Sequence, residues 1–169
     1  MVVVIIAILV VVAIPRTDVL RLLKFQGAGK KLLSDIRYAQ NTAVLSRVHT
    51  GIAFLTGANQ YWLYSCSNTA NCFPVVLPSA NWLPLKDPLS RSDMYVDYTS
   101  DTQYKNINIV SPNFNGNTML VFNPDGTPVD TATGNALTVN STVSLNYSGE
   151  SINFNISAKT GKANVTQSF

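Results

Sequence analysis

Charge is scarce in this sequence, and so are the residues that build metal and acid–base sites. Only 12% of its 169 residues are charged, about half of the ~25% usual in soluble domains. One histidine, His49, and two cysteines, Cys66 and Cys72, are too few for a zinc finger, a histidine-based metal centre or an iron–sulfur cluster. A catalytic site needs a nucleophile beside a base, or paired carboxylates in a pocket. The lone imidazole lies at a helix-to-strand junction, where a structural or solvent-facing role is expected, so the chain does not read as an enzyme. Its length suits one domain with an appendage and excludes a doubly wound two-domain architecture.

The appendage comes first. Residues 1–14 read MVVVIIAILVVVAI, without one charged or polar side chain. As a helix the run is about 21 Å long at ~1.5 Å per residue, short of the ~20 residues that cross a bilayer. Its β-branched residues also allow a buried strand, but the length favours a helix. Pro15 ends the run and is expected to kink or melt the helix there. Beyond it, Leu22, Phe25, Ala28, Leu32, Ile36, Ala39 and Ala43 recur every three or four residues, which predicts an amphipathic helix to about residue 47. Thr17 or Asp18 is placed to cap it. Gly27 and Gly29 read as a weak spot, a bend or a close approach to another backbone.

After residue 48 the pattern turns to β structure. HTGIAFL and QYWLYS, joined by Gly57-Ala58-Asn59, predict a hairpin over 48–65. Residues 66–118 are rich in Pro, Asn and Ser, with short strand-like pieces at 94–98 and 107–110, and read as an irregular insertion decorating a sheet. Residues 119–169 predict an antiparallel meander, with turns at Asn123-Pro124-Asp125-Gly126 and Lys159-Thr160-Gly161. Cys66 and Cys72 bracket five polar or small residues. A local disulfide is the economical reading, worth ~2 kcal/mol by loop closure and implying an oxidising compartment. Asn140, Asn146, Asn155 and Asn164 head Asn-x-Ser/Thr sequences and are candidate glycosylation positions. Asp93, Asp97 and Asp101 recur every fourth residue. They are the only candidates for a cation, without the Asp-x-Asp alternation of a compact calcium loop.

Charge is unevenly divided, with a net +5 over residues 16–48 and −2 over the remainder. Basic residues beside an apolar segment favour a cytoplasmic head, whereas the cysteine loop favours an oxidising compartment, and the cysteines are the stronger sign.

MVVVIIAILVVVAIP resembles the N-terminal helix of type IV pilins and type II secretion pseudopilins. KLLSDIRYAQNTAVLSRVHTGIAF, LVFNPDGTP and INFNISAKTGK resemble segments of its GspH/FimT-type subfamily. In that superfamily a methylated Phe and a Glu-containing stretch precede the apolar helix, and no position here matches them. The resemblance implies an α+β, type IV pilin-like fold, in which a long N-terminal helix kinked near Pro15 packs on an antiparallel β-sheet domain. Residues 1–24 would be the membrane anchor and filament core, and residues 25–169 the head.

It further implies a precursor in the bacterial inner membrane that engages pilus or secretion machinery. From there it would pass into an extracellular or periplasm-spanning homopolymer, with no cofactor. An apolar helix leaving lipid escapes water by packing against copies of itself. Val2, Val3, Val4, Ile5, Ile6, Ile8, Leu9, Val10, Val11 and Val12 would make that contact, while Leu22, Phe25, Leu32 and Ile36 seat the head on the helix. The alternatives are a minor tip or initiating pseudopilin, and a FimT-like DNA-binding subunit using Lys159 and Lys162 on the otherwise acidic head.

Overall fold

The computed structural model describes residues 17–67 and 69–168. The apolar run, its contact residues Val2 to Val12, the kink at Pro15 and the capping side chains of Thr17 and Asp18 lie outside that description.

One long helix, α1 (Thr17–Ser46), carries the chain into the head. The stripe read from the sequence is its buried face: Phe25, Ala28, Leu32, Ile36, Ala39 and Ala43 are all fully buried, and Leu22 is half-buried. Each large member contributes about 1.5–3 kcal/mol through burial. Neither glycine breaks the helix. Gly27 faces the Tyr104 ring, and a Cβ on Gly29 would stand 2.7 Å from Cδ1 of Ile152. The close approach is therefore between helix backbone and a strand side chain.

Among the described residues, ten strands form two antiparallel sheets. The first contains β1 (Thr50–Leu55), β2 (Gln60–Cys66), β3 (Trp82–Pro84), β4 (Tyr95–Asp97), β6 (Met119–Phe122) and β7 (Pro128–Val129). It runs β3-β2-β1-β6-β7, with β4 also paired to β2. The second contains β5 (Asn108–Asn113), β8 (Ser141–Tyr147), β9 (Glu150–Ile156) and β10 (Ala163–Ser168), in the order β10-β9-β8-β5. The predicted hairpin is β1–β2, in register from Thr50↔Ser65 to Leu55↔Gln60.

Two expectations are corrected. Residues 119–169 do not form one meander, because β6 pairs with β1 in the first sheet while β8, β9 and β10 form the second. Nor is 66–118 a decoration throughout. Its last piece, β5, is a full edge strand of the second sheet, and its first part covers the outer face of the first sheet. There Phe73, Val75 and Leu77 pack on Ala53, Met119, Val121, Val129 and Trp82. The first sheet is thus buried on both faces, which explains why MLVF reads as continuously apolar instead of alternating.

The helix sits across both sheets. Its first half meets the second sheet, where Phe25 packs 5.8 Å from the Tyr147 ring. Farther along, Gln40 Nε2 donates to the carbonyls of Gly126 and Thr160, both at 2.8 Å. These belong to the two turns read from the sequence, one in each sheet. Gly161 is required at the second turn: its φ is +67°, and a Cβ would lie 2.5 Å from that same amide nitrogen.

The Gly29–Ile152 contact predicts a compensating pair. Gly29→Ala alone should lower stability by about 1 kcal/mol through overpacking. Ile152→Val removes the offending Cδ1, so in that background the same change should be neutral or stabilising through better helix propensity. A urea-denaturation double-mutant cycle reads the coupling; strict additivity would refute the contact.

Candidate functional site

The features that bear on function are the two flanks of α1, the covered cysteine loop and the C-terminal turn. One flank carries a carboxylate on an otherwise apolar face. Asp35 is 4% exposed, held by Lys31 Nζ at 2.7 Å one helical turn earlier and by the buried Tyr61 hydroxyl, which donates at 2.7 Å from β2. Burial and the neighbouring Tyr98 and Asp35 push the Tyr61 phenol well above its ordinary range. The group therefore remains a donor, and the trio fixes the rotation of α1 on the first sheet. Sequence reading left Asp35 unassigned; a carboxylate next to Ile36 of the buried stripe was the available signal.

The opposite flank is basic and open. Lys30 and Arg37 are exposed two helical turns apart, and neither makes an ion pair among the described residues. Lys24 is exposed also, and Leu20, Leu23 and Leu45 are uncovered apolar side chains of the same helix. No helix among the described residues is long and apolar enough to cross a membrane.

Cys66 and Cys72 form the expected disulfide, with Cα atoms 5.8 Å apart. Both are buried, and the loop is tied further by Trp82 Nε1 donating to the Cys72 carbonyl at 2.9 Å and by the Cys66 amide donating to the His49 carbonyl at 2.8 Å. His49 packs edge-on against Phe73, centroids 5.0 Å apart. Burial pulls its imidazole below the usual value of 6.5, against an Asn123 hydrogen bond and the Asp125 charge. It braces the cover of the first sheet.

The structure keeps the three candidate cation ligands apart in function. Asp93 pairs with Lys86. Asp97 accepts from the hydroxyls of Thr99 and Ser100 at 2.6 and 2.8 Å, bonds that hold its carboxyl far below the ordinary carboxylate range. Asp101 accepts the Gln103 amide at 2.6 Å. Asp97 and Asp101 each stabilise the turn that follows, Asp93 is spent on Lys86, and no group of three potential ligands gathers among the described residues.

Lys159 and Lys162 are both exposed at the β9–β10 turn. Asn155 and Asn164 are exposed and directly paired across β9 and β10. Asn146 is half-buried on β8, and Asn140 accepts the Ala158 amide at 3.1 Å. Asn155 and Asn164 belong to an outer face of amides and hydroxyls, one row of which runs Asn113, Thr142, Asn155, Asn164.

Residues 28–160 match the family model GspH, described as Type II transport protein GspH. No curated protein sequence matches the chain. Among solved structures, the chain is similar to the minor pseudopilin EpsH from the Type 2 Secretion System of Vibrio cholerae, with a TM-score of 0.56 at 8% identity over 84% of this chain and 95% of that one. It is also similar to the type IV minor pilin FimU of Pseudomonas aeruginosa, with a TM-score of 0.51 at 15% identity over 83% and 87%. At these identities the likeness is one of fold.

Two predictions follow from the cover of the first sheet. Since the folded state lowers the His49 pKa, the unfolded chain binds more protons as pH falls. The contribution is complete above the unfolded value of 6.5 and is lost on acidification through the lowered folded value. His49→Gln should flatten thermal stability between about pH 7 and 5, where His titrates; an unchanged slope refutes the assignment. Reducing the disulfide, or Cys66→Ala with Cys72→Ala, should lower stability by about 2 kcal/mol and expose tryptophan fluorescence from Trp82 before global unfolding.

Proposed function

The chain belongs to the GspH family of type II transport proteins, and we propose that it is a structural subunit of a type IV pilus-like extracellular filament, polymerising through its N-terminal apolar segment. The observation that carries this is the run of 14 apolar residues that stands two positions before α1 in the sequence, while α1 is seated across both sheets of the head. A segment of that composition is stable in lipid before assembly and against its own copies afterwards. Burial of its side chains supplies on the order of 20 kcal/mol per subunit before entropy is counted. Surface ion pairs contribute ~0–1 kcal/mol each and are secondary.

In this reading the protein begins in the bacterial inner membrane, with its head in an oxidising compartment where the Cys66–Cys72 bond forms. Val2, Val3, Val4, Ile5, Ile6, Ile8, Leu9, Val10, Val11 and Val12 supply the helix–helix contact, and Pro15 lets the helix lengthen under load. Successive subunits related by one screw operation then form an open polymer. The role is mechanical and needs no catalysis. The mainly uncharged Asn, Ser and Thr face of the second sheet suits a surface exposed along such a fibre.

A second reading, a minor tip or initiating subunit of a secretion pseudopilus, draws support from the descriptions of EpsH as a minor pseudopilin and FimU as a minor pilin. Immunogold labelling of filaments sheared from cells separates the two, since regular decoration supports the repeating subunit and a single terminal label supports the tip.

The polymerisation test is direct. After detergent removal the full chain should sediment as fibres, whereas the chain lacking residues 1–24 should stay monomeric at equal concentration. Ile8→Asp should reduce fibre yield at least tenfold and leave the head's melting temperature unchanged. Fibres from the truncated chain, or a full chain that stays dispersed, overturn the proposal.

A further inference from the structure

Outer strands of a sheet present unpaired amides and carbonyls to any extended chain, and natural sheets blunt them with proline, bulges, charge or shortness. Nearly every margin of these two sheets is blunted. In the first sheet, β3 has three residues ending in Pro84, β4 has three, and β7 has two beginning with Pro128. In the second, β5 carries Pro112, a register shift between Val110 and Asn113, and a positive φ of 50° at Ser111.

The remaining margin, β10, differs. It has six residues, ANVTQS, without proline or charge. Its ladder to β9 is unbroken from Ala163↔Ile156 to Ser168↔Ser151, and no strand pairs with its other side among the described residues.

Beside that open edge runs a groove of about 290 Å³ between α1 and β10, lined by Gln26, Lys30, Leu33, Ile152, Val165 and Gln167. Its character is mainly apolar, and Val165 is 43% exposed although it points to the inner side of the sheet with buried Ala163. Within it the Gln167 Nε2 group is buried and has no hydrogen-bond partner among the described residues. A buried donor left unmet is a position where an acceptor is missing. The rim on the helix side carries Lys30, and the groove continues along α1 past Arg37.

We propose that this edge is a strand-addition site for an extended, acidic segment of another filament subunit. The added strand would hydrogen-bond to β10, place alternate apolar side chains over Leu33 and Val165, give an acceptor to Gln167, and set carboxylates beside Lys30 and Arg37. This is recognition by β-augmentation, in which main-chain bonds supply affinity and side-chain pockets supply choice. Self-pairing of two β10 edges is the poorer fit, because it brings no acid to either basic rim. The inference takes only the origin of the added strand from the filament reading, and its test uses unassembled protein, so failure here leaves polymerisation untouched.

The probes are two capped ten-residue peptides alternating valine and threonine, one bearing two aspartates and the other two lysines at the same places. Each is titrated into the full chain in neutral detergent micelles, with amide hydrogen exchange followed by NMR. The aspartate peptide should bind at least tenfold more tightly and slow exchange at residues 163–168, with no protection added at β5. Lys30→Glu with Arg37→Glu, two exposed positions that leave the fold intact, should reverse the preference between peptides. Gln167→Leu should weaken both peptides several-fold. Equal binding of the two peptides, absence of binding, or protection outside β10 overturns the proposal.

Discussion

The buried stripe of α1 is the contact on which the head depends. Phe25, Leu32 and Ile36 are fully buried in one core cluster with Ile52, Leu63 and Leu120 of the first sheet and Val143, Leu145 and Phe154 of the second. Gly29 allows Ile152 of the second sheet to approach the helix closely, and Asp35 locks the helix to Tyr61 of the first. An element seated this way transmits the position of its N-terminal end to the whole head, which is the property a filament subunit needs when its leading segment is held among neighbours.

Much of this was legible beforehand because the relevant signals are local. Period 3.6 survives in α1 over five turns, and the Asn-Pro-Asp-Gly and Lys-Thr-Gly turns depend on residues adjacent in sequence. The disulfide was legible for the same reason: only two cysteines exist, and a six-residue separation brings them within reach. The division into two sheets was hidden. Which strand β6 joins is decided by Ile52 and Leu120 meeting across some 70 residues, a pairing to which no local pattern points. Continuous burial of β1 and β6 also erased the alternation that marks a strand with one wet face.

The site was less legible than the fold. Aspartates spaced every four residues suggest a cluster, yet Asp97 and Asp101 are each spent on the turn that follows, as Asp commonly is in loops. Lys30, Lys31 and Arg37 look alike in sequence, but position around the helix separates them: Lys31 meets Asp35, while Lys30 and Arg37 face the groove. The contrast between a protected β5 and an unprotected β10 becomes visible only when both are known to be margins of one sheet.

Gln40 gives this arrangement a mechanical meaning. One amide group clasps the turn beyond β6 and the turn before β10, so the far end of the helix is tied to both sheets at a shared point, where neither can be drawn away without loading the other. Hydrogen bonds strained together resist force better than bonds opened one after another. Heads tied in this way would keep their shape under tension.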